Sequence, residues 1–211
     1  MNKYSIPAKE VRAELEIKRS RFIAIAAPVF SVDEAKAFVR AVKQEFDGAT
    51  HHVPAYQIGH GASIIAHSSD DGEPSGTAGR PLLTVLQGSG LGDIAIVVVR
   101  YYGGTKLGTG GLVRAYGDAG KAVLAVLPRA QRASINTIQL EVPYPLFEQM
   151  ELLIEKHNGR IQTKTFAAAV TITAQFLLDD TPAFADGVQE LSNGRLQPEI
   201  IETSVGKWVS K

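Results

Sequence analysis

Cysteine is absent from the 211 residues. That excludes disulfide staples, thiolate metal centres and a cysteine nucleophile. No stretch approaches the roughly 20 apolar residues of a membrane span. The start, Met1-Asn2-Lys3-Tyr4-Ser5-Ile6-Pro7, has no apolar signal core. The expectation is therefore a protein with no membrane association, working in the cytoplasm. Net charge is missing too, with 22 basic residues against 22 acidic ones. That balance conceals a gradient: residues 1–134 carry 16 Lys/Arg and 12 Asp/Glu, and residues 135–211 carry 6 and 10. Between Arg100 and Arg132 there are six basic residues and one acidic residue, Asp118. Such a local excess attracts polyanions even on a neutral molecule.

Glycine is abundant and unevenly placed. Fifteen of the 20 glycines lie between Gly59 and Gly120. They concentrate in an acidic block, Asp70-Asp71-Gly72-Glu73-Pro74-Ser75-Gly76-Thr77-Ala78-Gly79, and a basic one, Arg100-Tyr101-Tyr102-Gly103-Gly104-Thr105-Lys106-Leu107-Gly108-Thr109-Gly110-Gly111-Leu112-Val113-Arg114-Ala115-Tyr116. Glycine gathers where backbone needs positive φ or close approach. The basic block follows an apolar run and precedes a helical pattern, so it offers backbone N–H groups at a helix N-terminus to an anion. Lys106 and Arg114 add charge, Arg100 suits a bidentate phosphate contact, and Tyr101, Tyr102 and Tyr116 suit base stacking. Asp70, Asp71 and Glu73 read as an acidic turn that orients the basic groups.

Other phosphate and metal chemistries do not fit. No Gly-Lys-Ser or Gly-Lys-Thr occurs, which excludes a P-loop, and Val113 occupies the third glycine position of a dinucleotide fingerprint. The acidic block departs from an EF-hand. Neither a His-Glu-x-x-His motif nor a nucleophile elbow appears. His51, His52, His60 and His67 cluster in sequence, but His51 and His52 are strand neighbours and point apart. Neither a metal site nor a cofactor is expected.

Periodicity supplies the organisation. Strands are read at Arg21–Val29, His51–Ile58, Ala62–His67 and Ile94–Val99, the last covered on both faces. Ser31-Val32-Asp33-Glu34 has capping-box spacing ahead of a helix that Asp47-Gly48 stops. A short helix opens at Arg80-Pro81, and a longer one runs over Leu112–Leu127. Arg129–Ser134 reads as a polar connector between domains. Beyond it the order is strand Ile135–Val142, helix Tyr144–His157, strands Arg160–Thr165 and Ala168–Leu177, helix Pro182–Ser192 and strand Arg195–Glu202. Asn158-Gly159 and Asn193-Gly194 are read as helix caps. That βαββαβ order is ferredoxin-like.

The two glycine-rich blocks, extended to Ser69 and Val99, closely resemble the IMPACT family, and its bacterial YigZ-type members in particular. Lys18 through Phe22 resembles the family's basic N-terminal motif, and His51 with Ala55-Tyr56 its histidine strand. Val53 stands where bacterial members often carry cysteine. The resemblance implies an α+β protein with two domains. Residues 1–130 would be similar to ribosomal protein S5 domain 2. Residues 135–205 would be ferredoxin-like, similar to domain V of translocation GTPases. Eukaryotic members act in translational control and carry an added N-terminal interaction domain that this chain is not expected to have. The expected function is non-enzymatic RNA or ribosome binding that modulates translation, with a translation-factor protein as a further partner. Arg100, Tyr101, Tyr102, Gly103, Gly104, Lys106, Gly108, Gly110, Gly111 and Arg114 would form the anion-binding surface, supported by Asp70, Asp71 and Glu73, with His51 and Tyr56 as further candidates. Two other readings remain open: a Mg²⁺-dependent enzyme acting on a phosphate-containing small molecule, and a protein adaptor using the acidic C-terminal part.

Overall fold

Ile94-Ala95-Ile96-Val97-Val98-Val99 offers no polar side chain to water, so it must be covered on both sides. The computed structural model, which describes residues 3–61 and 63–208, places it at the centre of a five-stranded antiparallel sheet. The elements before the second half are β1 (Tyr4–Pro7), β2 (Val11–Ile17), β3 (Ser20–Pro28), α1 (Val32–Glu45), β4 (His51–Ile58), β5 (Ile65–Ser68), α2 (Gly79–Gly88), β6 (Ile94–Tyr101) and α3 (Thr109–Ala125). The sheet runs β2-β3-β6-β4-β5. Ala62, where the fourth expected strand begins, lies outside the described residues.

Residue parity divides the two faces. Ile94, Ile96 and Val98 join Phe22, Ala24, Val53, Ala55 and the apolar sides of α2 and α3 in the larger core. Val97 and Val99 turn the other way, with Ile23, Ile25 and Val42. Ser31 caps α1 by accepting from the Glu34 N–H at 3.1 Å, and the Glu34 carboxylate accepts from the Phe30 N–H at 2.8 Å. The reciprocal box is present, displaced by one residue on its return bond. β2 has no counterpart in the sequence reading, although Val11, Ala13, Leu15 and Ile17 alternate with polar residues and pack on the larger core.

The remaining elements are β7 (Arg129–Val142), α4 (Phe147–Lys156) after a 3-10 turn at Tyr144–Leu146, β8 (Arg160–Phe166), β9 (Val170–Leu177), α5 (Thr181–Ser192) and β10 (Glu199–Trp208). β9 lies between β7 and β8, and β10 pairs with β7. Ile138, Leu140, Val142, Ile172 and Phe176 meet Met150, Ile154, Phe184 and Val188 from the helices. Asn158 and Asn193 take the left-handed conformation, with φ of 58° and 51°. Gly159 serves packing instead, since a Cβ there would lie 2.4 Å from the Phe176 ring. Trp208, the single tryptophan, is buried with Ala133, Ile135 and Leu177, and Arg160 Cζ sits 4.1 Å from its ring centre.

Two compact units emerge, one over Tyr4–Gln131 and one over Arg132–Trp208. The expected connector Arg129–Ser134 is not a loop: it is the first part of β7, with Ala130 and Ala133 buried among partly exposed polar residues. The last strand starts four residues later than expected, because Ser192 Oγ accepts from the Leu196 N–H and keeps that segment at the helix end. Among the described residues, no helix is long and apolar enough to cross a membrane.

Candidate functional site

Antiparallel pairing of β4 with β6 sets His51 opposite Arg100. Parity then decides which candidates share a face. Arg100 continues the inward series of Ile94, Ile96 and Val98, and His51 that of Val53 and Ala55, so both face the α2–α3 side. Tyr56, five residues from His51, falls on the opposite face, where it is buried with Val29, Ala35 and Ala95. Tyr101 likewise packs toward the α1 side, beside Val97 and Val99. Both therefore lie on the face opposite Arg100, for the same geometric reason.

Arg100 is only 5% exposed. Its Nη1 donates to Glu73 Oε1 at 2.6 Å, and Nη2 donates to Ser20 Oγ at 3.4 Å. Tyr116, fully buried, donates its hydroxyl to the same Glu73 oxygen at 2.7 Å. Burial, and then the Glu73 carboxylate, push the Tyr116 hydroxyl far above its ordinary pKa, so it stays a donor. Arg100 therefore lies in an internal ion pair, and Tyr116 in the core. One atom of the arrangement is unmatched: Arg100 Nε is buried without a hydrogen-bond partner. An unmatched buried donor costs about 1–3 kcal/mol.

The acidic loop reaches Arg100 through Glu73 alone. Asp70 organises its own turn, accepting from the N–H groups of Gly76, Ala78 and Gly79 at 2.8–3.0 Å. Burial pushes the Asp70 carboxyl up, but those three backbone donors outweigh it and hold its pKa below the ordinary value. Asp71, at φ of 47°, bonds the His52 N–H and Lys43 Nζ, both at 2.6 Å. Its backbone carbonyl meets His51 Nδ1 at 2.8 Å. A carbonyl only accepts, so Nδ1 carries a proton, and Nε2 lies 3.9 Å from Glu73 Oε1. The carboxylates are thus committed to separate partners. Among the described residues no three His, Asp or Glu side chains converge on a metal position.

The basic loop is held by close backbone packing. A Cβ on Gly103 would fall 1.9 Å from the Arg19 carbonyl oxygen, and Gly103 N–H donates to Ser20 Oγ at 3.2 Å. Gly104 follows, exposed and at φ of 83°. At the far end Gly108, at φ of 74°, starts α3 with no side-chain cap. Helix begins at Thr109, three residues before the expected Leu112, so Gly110 and Gly111 form its first turn.

Between the loops lies a cleft of about 450 Å³, lined by His51, Glu73, Arg100, Tyr102, Lys106 and the start of α3 at Gly108, Thr109 and Leu112. Tyr102 is 46% exposed, and Lys106 is exposed with no ion pair among the described residues. Arg114 is elsewhere. It lines a second groove, also about 450 Å³, between α2 and α3, with Arg80, Lys121, Pro81, Val85 and Val113. Arg80 is a residue the motif reading passed over; its only signal was a position opening the α2 pattern.

The comparisons agree with this architecture. Residues 18–124 match the Impact N-terminal domain, and residues 140–195 match a domain of unknown function, DUF1949. The IMPACT family member YigZ of Escherichia coli is 39% identical over 203 residues, covering 96% of this chain and all of that one. An IMPACT family member of Haemophilus influenzae is also 39% identical over 203 residues, covering 96% of this chain and 98% of its own. A solved structure described as that of a hypothetical protein superposes with a TM-score of 0.63 at 39% identity, covering 96% of this chain and 98% of that one. With both halves matched in order and near-complete coverage on each side, the chain belongs to the IMPACT family.

Proposed function

We propose that this protein regulates translation by binding RNA or the ribosome without catalysing a reaction, and that it does so in the cytoplasm. The observation that carries this reading is the placement of cations along α3. Arg80, Arg114 and Lys121 line one flank of the helix over an apolar floor, and Lys106 stands at its start. Of these, only Lys121 has an ion-pair partner among the described residues, Asp118 at 3.1 Å. Exposed cations over apolar surface suit a phosphate backbone whose bases contact the floor.

The buried Arg100–Glu73 pair shapes this surface without contacting phosphate on this reading. Membership of a family whose eukaryotic branch acts in translational control supports the choice of partner, with a translation-factor protein beside the RNA. The element order β7-α4-β8-β9-α5-β10, with β10 and β9 on either side of β7, supports a ferredoxin-like C-terminal domain. A five-stranded sheet with helices on both faces supports an S5 domain 2-like N-terminal one. The Mg²⁺-enzyme reading lacks a donor set, since Asp70, Asp71 and Glu73 are turned to separate partners.

Co-sedimentation with ribosomes tests the proposal. Wild type is expected to pellet at low salt, and the folded variant Lys106→Glu/Arg114→Glu to remain in the supernatant. Absence of wild-type pelleting at low salt overturns it.

A further inference from the structure

We infer that the outer edge of β10 is a dimerisation edge, where β10 of a second copy of this chain adds antiparallel about a two-fold axis, with Thr203 opposite its own counterpart. This surface lies within the Arg132–Trp208 unit and does not rest on the reading of α3.

Among the described residues, β10 pairs on one side only, with β7. The N–H and C=O groups of its other side form a template for a further strand. Edges are ordinarily blunted by short length, proline, bulges or lysine. β10 runs ten residues, Glu199–Trp208, without proline, and it exposes Ile200, Ile201 and Val205. The opposite edge of the sheet, β8, carries Arg160 and Lys164 with no acid, and its pairing to β9 shifts register between Ile161 and Thr163. β8 thus repels its own copy, whereas β10 carries charges of both signs.

The inner side of β10 is firmly held, so little further ordering is needed on association. Thr203 Oγ1 donates to Asn136 Oδ1 at 2.8 Å, and Asn136 Nδ2 donates to Thr181 Oγ1 at 3.1 Å. A Cβ on Gly206 would lie 3.0 Å from Ile135 Cδ1, and Trp208 is buried at the end of the strand.

Symmetry and parity fix the register. A two-fold axis normal to the sheet keeps each side chain on its own face, so it passes between one residue and the same residue of the second copy. A centre at Glu202 would set like charges opposite each other, which is destabilising. A centre at Thr203 pairs nine residues, 199–207, and sets Glu199 opposite Lys207 twice. On that face Ile201 then meets Val205, and Thr203 meets Thr203; on the other, Ile200 lies over Gly206 and Glu202 beside Ser204. Opposite charges and Thr–Thr pairs are favourable cross-strand neighbours. Ile201 against Val205 removes exposed apolar surface from water. The strand is complementary to itself in sign and in apolar content.

Nine residues a side is fewer than the roughly 20–30 of a standard interface, so the dimer should form in the micromolar-to-millimolar range. Sedimentation velocity of the full chain across that range should show a monomer–dimer equilibrium. Glu199→Lys should weaken it about tenfold, since each dimer contains the pair twice, and Glu199→Lys/Lys207→Glu should restore it. The cysteine-free chain allows the register to be read directly. Ile201→Cys mixed with Val205→Cys should cross-link on oxidation. Ile201→Cys alone should not, because its two copies lie about 13 Å apart along the strands, beyond disulfide reach. A chain that stays monomeric throughout overturns the proposal and leaves the edge to a strand of another protein. A dimer indifferent to Glu199→Lys, failure of the charge swap to restore association, equal cross-linking of Ile201→Cys alone, or growth into polymers also overturns it.

Discussion

Removing the carboxylate of Glu73 would strand a guanidinium that is already short of one partner. Because Arg100 is buried and Glu73 is its only charged contact within 4 Å among the described residues, Glu73→Ala is expected to cost about 3–5 kcal/mol. Replacing both residues with apolar ones of similar volume, Glu73→Leu/Arg100→Met, should recover most of that loss, since the desolvation of both charges is then avoided. Denaturant melts of Glu73→Leu, Arg100→Met and the double form the cycle; equal losses in all three variants would contradict the account. Asp70 makes a different claim, about pH. Its pKa is held below the ordinary aspartate value, so its stabilisation is complete above the unfolded value and disappears as pH falls through the folded one. Stability of wild type and Asp70→Asn should therefore differ at neutral pH and converge in acid. A gap that stays constant down through the carboxylate range would show that the turn does not depend on the charge.

At the scale of elements, what was legible and what was not have one cause. Helices and strands with a strong apolar period, α1, β4, β6 and α3 among them, appear where that period puts them. Loops of charge and glycine carry no period, so the residues inside them were grouped by charge. Parity was available all along: Arg100 lies two residues beyond Val98 on an inward-facing series, which already places it inside. Arg114 lies one turn into α3 and lines the groove against α2, whereas Lys106 precedes the helix and lines the other cleft. The Glu73 contact could not be read, because it joins residues 27 apart through a loop that Asp70 shapes. Local signals that name their own geometry fared better. Ser31 was read as a cap and is one, and Ser31→Ala should cost about 1 kcal/mol, measured by denaturant unfolding. Loss of less than a few tenths would mean that the Glu34–Phe30 bond alone secures α1.

For the whole molecule, zero net charge makes salt a sharp probe, because little long-range attraction exists to blur a local one. If three phosphates are neutralised, log affinity for single-stranded RNA should fall against log salt with a slope of about −2. Lys106→Glu/Arg114→Glu should flatten that slope, and a salt-independent affinity would exclude this surface. The lone Trp208 gives the molecule a second property. It is enclosed by Ala133, Ile135 and Leu177 within the Arg132–Trp208 unit, whereas five of the six tyrosines belong to the Tyr4–Gln131 unit. Indole emission therefore reports the melting of one unit and phenol absorbance mainly that of the other, so an unmodified sample carries its own two-colour thermometer.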